Sequence, residues 1–301
     1  MVIATGFFDG VHTGHRLVID KLVGTAQQQG DESMVITFWP HPRTVLQSGA
    51  RTLRLLSTMD EKTRMLRSLG VDHIEVLKFT REFSAMTSSE YLRDIVIGKF
   101  GGRAIVLGYD NRFGSDSLDS AGARSVAEGL GLQVIDAPVA SSSSGMAVSS
   151  TKIRASLEAG DVVGAEAMLG YRYSLHGVVV AGNRIGRTMG FPTANMQLYE
   201  PLKQIPANGA YEVEVETLGG HFYGMCNIGT HPTVGAGNMR TIETNIFGFD
   251  QDIYGLDIRV TFVRKIRDEV RFESIDALRS QLERDRENCM AGLETTEALR
   301  R

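Results

Sequence analysis

Gly6-Phe7-Phe8-Asp9-Gly10-Val11-His12-Thr13-Gly14-His15 is the stretch on which the reading of this chain turns. A short apolar run from Val2 leads into it. Directly after it, Ile19, Leu22, Val23 and Ala26 recur at i, i+3, i+4 and i+7, one face of an amphipathic helix. Strand, glycine-bearing turn and helix, in that order, open a parallel α/β sheet. The turn delivers two imidazoles, His12 and His15, to a helix N-terminus, with Gly10 and Gly14 beside them. Helix N-termini attract phosphate through unpaired N–H donors and the positive end of the dipole. Imidazoles there add donors that follow charge as it develops on a phosphate. His-x-Gly-His alone fits an ordinary surface turn equally well. The preceding Phe8-Asp9-Gly10 and the strand-turn-helix setting shift the reading to nucleotidyl transfer.

Working outward, the strand-like runs Ser33–Phe38, His73–Phe79, Ala104–Leu107 and Leu132–Ile135 alternate with helix signals. Thr58-Met59-Asp60-Glu61 is a capping box whose helix Gly70 would end; Thr87-Ser88-Ser89-Glu90 is a second, before a helix over Tyr91–Lys99. A further helix is expected near Ala123–Leu130. The pattern predicts a doubly wound parallel sheet with ligands at the carboxyl ends of its strands.

Three more clusters follow predicted strands and should reach that edge. Trp39-Pro40-His41-Pro42-Arg43 reads first as a rigid turn, with a His and an Arg that could serve anions. Gly108-Tyr109-Asp110-Asn111-Arg112-Phe113-Gly114 mixes a carboxylate, a guanidinium and aromatics, which suits a nucleoside or flavin pocket through Asp110, Arg112 and Phe113. In Ser149-Ser150-Thr151-Lys152-Ile153-Arg154, hydroxyls start a helix whose first turn carries two cations. Cations there oppose the helix dipole. A bound polyphosphate resolves the conflict, so Ser150, Thr151 and Arg154 are taken as a second anion site.

After Leu169-Gly170 the periodicity changes. Tyr173–Val180, the strictly alternating Tyr211–Glu216, Phe222–Ile228, Ile242–Phe247 and Ile258–Lys265 are short strands, and Gly219-Gly220 marks a hairpin. They predict a closed antiparallel barrel. Ser274 could cap a final helix with Ile275, Leu278 and Leu282 on one face. Domains are therefore expected at 1–170 and 171–301. Gly182-Asn183-Arg184-Ile185-Gly186-Arg187 is a basic glycine loop suited to phosphate through Gly182, Arg184, Gly186 and Arg187. It is no Walker sequence. Thr193 and Asn195 follow in Gly190-Phe191-Pro192-Thr193-Ala194-Asn195 and share one side of an extended strand. They offer oxygen ligands for Mg²⁺, or equally form the polar edge of a Pro-fixed strand start.

Composition bounds these readings. The chain has 301 residues, 42% hydrophobic and 23% charged, which is ordinary globular material for about two domains. A net charge of -4 gives no global field for nucleic acid or anionic membrane. Cys226 and Cys289 are the only cysteines, which argues against a disulfide framework and fits a reducing cytoplasm. No apolar run reaches transmembrane length and no signal-peptide pattern is present. The first strand has little lead-in after Met1, which leaves a truncated start open.

The ordered motifs resemble the bacterial bifunctional riboflavin kinase/FAD synthetase family, over nearly the whole chain and fading after about Arg286. Carrying the resemblance are Gly6-x-Phe-Asp-Gly-Val-His-x-Gly-His15, Pro40-His-Pro42, Gly108-x-Asp-x-Arg-Phe-Gly114, Ser149-Ser-Thr-x-Ile-Arg154, Gly182–Asn195, Asn208–Tyr211, Asn227–Thr233 and Asp252–Gly255. The resemblance implies an N-terminal FMN adenylyltransferase module of the nucleotidyltransferase superfamily and a C-terminal riboflavin kinase barrel. It implies ATP-phosphate roles for His12, His15, Ser150, Thr151 and Arg154, and a catalytic base at Glu243, which alone reads as a solvated strand residue. Phe7 stands where the family often has Asn, and Ser115–Ala121 reads as a long loop, expected to act as a mobile flap over flavin.

The expected function is phosphorylation of riboflavin by ATP to FMN, then adenylylation of FMN to FAD with release of pyrophosphate. Mg²⁺ is the expected cofactor, ATP, riboflavin and FMN the small-molecule partners, and nucleic acid and membrane are not expected partners. Two other readings are an adenylyltransferase of coenzyme A or NAD synthesis and a flavin-binding regulator without turnover. The Gly182–Asn195 motif argues against the first, and the full set of His12, His15, Thr193, Asn195 and Glu243 against the second.

Overall fold

The computed structural model describes residues 1–46, 53–108, 113–138, 148–182, 186, 189–233 and 237–300, with side chains described outside 231–239 and 293–300. The chain divides into two compact units, Met1–Ser150 and Thr151–Arg301.

In the first unit, β1 (Val2–Thr5) is the centre of a five-stranded parallel sheet ordered β3-β2-β1-β4-β5. Its neighbours are β2 (Ser33–Trp39) and β4 (Ala104–Leu107), flanked by β3 (His73–Lys78) and β5 (Gln133–Asp136). Alternate residues feed two cores. Val2, Ala4, Ala104 and Val106 meet Ile19, Leu22 and Ala26 of helix Thr13–Gln29 and Leu66 of helix Met59–Ser68. On the other face, Ile3, Ile36, Ile105 and Leu107 meet Leu92, Val96, Ala123 and Ala127. Burial on both faces explains the unbroken apolar runs. Strand order reverses at β1, so the crevice outside the ends of β1 and β4 is the switch point of the sheet. The Gly6–His12 turn leaves β1 at that place.

Both capping boxes form: Thr58 accepts from Glu61 N at 3.1 Å and Thr87 from Glu90 N at 3.3 Å, with each glutamate returning to its cap. Residues Tyr91–Lys99 are wound wider than expected, as a π-helix. The segment expected to be a mobile flap is pinned instead. Ser115 N donates to Met86 O at 2.8 Å, and the Asp116 carboxylate accepts from Ser88 N at 3.0 Å and Ser88 Oγ at 2.6 Å. Asp119 then caps helix Ser120–Gly129 through Gly122 N. Polar anchoring holds what apolar burial does not.

In the second unit, β6 (Ser174–Val180), β7 (Ala194–Leu198), β8 (Gly209–Thr217), β9 (Gly220–Thr233), β10 (Gly237–Ile246) and β11 (Asp257–Arg267) close into an antiparallel barrel ordered β10-β7-β6-β11-β8-β9. Leu218 and Gly219, at φ 50° and 71°, make the two-residue hairpin between β8 and β9. Leu175, Val213, Val215, Ile228, Val260 and Phe262 are fully buried along the strands. Outside the barrel wall, Met189, Phe191, Met225 and Cys289 form another cluster, covered by Leu278 and Leu282 of the C-terminal helix Ile275–Arg300. Ser274 caps that helix through Ala277 N. Ile275, expected on the same face, is exposed because it lies in the first turn, before the helix reaches the cluster. Helices Ser150–Ala159 and Val162–Leu169 precede the boundary expected at Gly170 and fall in the second unit, where Leu157 O accepts from Ala207 N at 2.8 Å.

Candidate functional site

The turn after β1 is held in an unusual backbone conformation. Phe8 and Val11 take φ of 48° and 37°, and Gly10 takes 80°. Positive φ is rare for a bulky or β-branched residue and persists only where surroundings over-determine it. Here Asp9 supplies the constraint: its carboxylate accepts from Leu56 N at 3.0 Å and Ser57 N at 3.1 Å, while Gly10 N donates to Ser57 Oγ at 3.0 Å. Phe8 and Val11 are buried beneath it.

The rigid turn sets two imidazoles face to face. His12 is the N-cap of helix Thr13–Gln29, its Nδ1 accepting from His15 N at 3.3 Å, and the rings stack with centroids 3.6 Å apart. With Nδ1 an acceptor, the neutral ring carries its proton on Nε2, a donor. Burial, then the neighbouring His12 and Lys62, hold the His15 imidazole well below its ordinary 6.5. His15 is thus neutral near pH 7, and its buried Nδ1 has no hydrogen-bond partner among the described residues. No acidic side chain occupies the first turn of the helix. The arrangement offers hydrogen bonds and a helix terminus to an anion.

Of the other expected residues, Ser150 donates to Asp9 O at 3.1 Å, joining the His12 turn. Gly14 lies in the first turn with His15. Thr151 and Arg154 follow on the helix begun by Ser150, in the second unit. Phe113 packs on Tyr91, ring centroids 5.8 Å apart, and its carbonyl accepts from Ser88 Oγ. Asp110, Arg112, Arg184 and Arg187 lie outside the described residues.

On the barrel, strand register assembles the second constellation. Glu243 of β10 pairs with Asn195 of β7 and with Asn227 of β9, so all three share one face in a single row across the sheet. That face is opposite the one on which Ala194 and Thr244 are buried. Gly182 lies against the end of Asn195, where any Cβ would stand 2.2 Å from its amide nitrogen. A Cβ on Gly186 would stand 2.3 Å from Phe191 O, and Asn245 fastens Pro192 O at 2.7 Å. Thr193, at the entrance to β7, lines a cavity of about 370 Å³ with Val179, Ile246, Phe249, Ile253 and Tyr254.

The chain matches the FAD synthetase family model over residues 1–152 and the riboflavin kinase family model over residues 169–293. It is 33% identical to a bifunctional riboflavin kinase/FMN adenylyltransferase of Bacillus subtilis, across 96% of this chain and 91% of that protein. It is 34% identical to one from Escherichia coli, across 94% and 90%. This chain belongs to the bifunctional riboflavin kinase/FMN adenylyltransferase family. A crystal structure from Streptococcus pneumoniae described as a macrolide-efflux protein shares the fold at a TM-score of 0.88 and 32% identity, covering 95% of this chain and 92% of that one.

As a member of this family the chain is both a riboflavin kinase and an FMN adenylyltransferase. Its N-terminal unit carries the adenylyltransferase match and its barrel the kinase match. The sequence alone assigns no site role to Asp9, Lys62, Asn227 or Asn245, although Asp9 and Asn227 lie within its motifs. Lys62 had no readable signal, since Asp60 and Glu61 precede it in the first turn of helix Met59–Ser68 and leave it an ordinary helix cation. Asn227 and Asn245 had none, because their positions beside Glu243 and Pro192 depend on strand register.

Proposed function

We propose that the two reactions are divided between the two constellations. Glu243 accepts the proton of the ribityl 5′-hydroxyl as that oxygen attacks the γ-phosphorus of ATP, giving FMN and ADP. Asn195 and Asn227, on either side of it, orient the hydroxyl and the phosphate. The cavity beside Thr193, apolar on most of its wall, takes the ring end of ATP and leaves the Glu243 row to the flavin. Positioning and charge neutralisation carry such transfers.

Thr193 and Asn195 would hold Mg²⁺. A hydroxyl and an amide oxygen are hard ligands, and the absence of a Cβ at Gly182 leaves a cradle over the Asn195 amide. Mg²⁺ is commonly held by few protein ligands plus substrate phosphates. When bound it neutralises charge on the phosphate oxygens.

At the His12 turn, an oxygen of the FMN phosphate bonds to the α-phosphorus of a second ATP as the bond to the bridging oxygen breaks and pyrophosphate leaves. His12, His15 and Ser150 hold the phosphates, and no covalent enzyme intermediate is needed. The attacking group is already an anion, so the site needs donors rather than a strong base. The stacked His12 and His15 rings, with His15 held neutral by burial, are the observation that carries this assignment. Localisation to the cytoplasm is supported by two buried free cysteines, and no described helix is long and apolar enough to cross a membrane.

The test supplies riboflavin, ATP and Mg²⁺, then FMN and ATP, to parent, Glu243→Gln and His15→Ala proteins, with FMN and FAD separated by chromatography. Each substitution should remove one product-forming step and spare the other. Loss of both steps together in a folded variant overturns the division.

A further inference from the structure

Lys62 is 6% exposed, although it carries an ammonium. It lies one turn into helix Met59–Ser68, whose Thr58 cap follows Leu56 and Ser57, the residues that clamp Asp9 and Gly10 of the His12 turn. Its position is therefore set by the same clamp that sets the histidines. Burial pushes its ammonium down to about 8, and the one carboxylate acting on it among the described residues is Asp9. That carboxylate is already engaged by Leu56 N, Ser57 N and Ser57 Oγ. A buried charge without a close partner is costly. Close by, His15 feels the Lys62 charge and presents a buried Nδ1 with no partner among the described residues. A half-satisfied cation and an orphaned imidazole nitrogen at one strained turn together describe a place built for an anion.

The chemistry asks for such a cation. Two polyanions, the FMN phosphate and the ATP triphosphate, must approach each other, and the neutral His15 supplies hydrogen bonds without charge. We propose that Lys62 is a phosphate-binding catalytic residue of the adenylyl-transfer site, its ammonium resting beside His15 on the pyrophosphate portion of ATP and on the leaving pyrophosphate. This rests on the reading of the His12 turn as that site. As the bond between the α-phosphorus and the bridging oxygen breaks, negative charge grows on the departing oxygen, and a cation already desolvated and fixed is worth most there. The proton stays on Lys62 throughout, so its task is neutralisation rather than acid catalysis.

The experiment uses the full-length protein with Lys62→Gln, Lys62→Met and Lys62→Arg, and His15→Ala alongside. Binding of inorganic pyrophosphate is measured by calorimetry, and FAD formation from FMN is measured with riboflavin phosphorylation in the same preparation. K62Q and K62M should bind pyrophosphate at least about tenfold more weakly and form FAD about 10²-fold more slowly. Riboflavin phosphorylation should persist, and K62R should recover part of the loss. Amine labelling of the parent near pH 8.5 adds a readout that needs no variant to fold: pyrophosphate should shield Lys62. Parental FAD formation and pyrophosphate binding in K62M, or labelling that pyrophosphate leaves unchanged, overturns the proposal while H15A still loses FAD. If H15A also forms FAD normally, the site reading has failed and takes Lys62 with it.

Discussion

Glu243 stands directly opposite Asn195 in the antiparallel pairing of β10 with β7, and Asn227 flanks it on the other side. The proposed base and the proposed Mg²⁺ ligand are thus neighbours across one strand pair, although 47 positions separate them in sequence. Glu243→Gln keeps shape and hydrogen-bonding reach and removes the proton acceptor. FMN production should fall about 10²–10⁴-fold, the usual scale for a lost general base. Adenylylation of supplied FMN should run at the parental rate. Unimpaired phosphorylation of riboflavin by the Gln variant would sink the assignment.

At the other site, His12→Ala and His15→Ala should each slow FAD formation from FMN by about 10²–10³-fold, as loss of a preorganised donor does. Riboflavin phosphorylation, followed in the same samples, is the internal control for folding.

His15 also gives a pH dependence. Burial, then His12 and Lys62, lower its imidazole below 6.5. Below about pH 6.5 the unfolded chain binds a proton there that the folded chain refuses. The His15 contribution to stability is therefore complete above that pH and declines as pH falls toward the lowered folded value. Melting temperature should drop less steeply on acidification in His15→Gln than in the parent; parallel curves would refute the shift.

The C-terminal helix is tied to the barrel by a buried ion pair. Asp285, 1% exposed, accepts from Arg267 Nε at 2.9 Å, pairs with Arg267 Nη2 at 2.8 Å, and accepts from Gln281 Nε2. Asp285→Ala strands the guanidinium and should cost about 3–5 kcal/mol in urea unfolding of the barrel. Replacing both partners by apolar residues, Arg267→Met with Asp285→Leu, should recover most of it.

Helix Val162–Leu169 packs against β11, and Leu157 O holds Ala207 N. A fragment beginning at Tyr171 lacks both. It should phosphorylate riboflavin yet melt well below a fragment beginning at Ser149, measured by calorimetry on both. Equal melting would show that the two helices add nothing to the barrel.

Local chemistry was legible in the sequence. The boxes at Thr58 and Thr87 were read correctly because cap and partner lie three residues apart. The doubly wound sheet and the closed barrel were read from hydrophobic period and glycine turns. What failed or was missed depends on partners distant in sequence. Asp116 reads as a loop acid until Ser88 is found beside it, and the supposed flap becomes an anchored turn. Lys62 reads as an ordinary helix cation until the Asp9 clamp shows where its helix is moored. Asn227 joins Glu243 only through a register that no single strand displays.

The closed barrel makes parity an inherited constraint on this enzyme. Within β10, Glu243 and Thr244 face opposite sides of one wall, so a single inserted or deleted residue in that strand would exchange them. A carboxylate would then enter the apolar interior and a hydroxyl would replace it in the row with Asn195 and Asn227. Because the barrel has no open edge at which the slip could be absorbed, changes in length within β7, β9 or β10 must come in pairs or fall in the connecting turns. Drift in this lineage should therefore appear as substitution along these strands, with gaps confined to the loops between them.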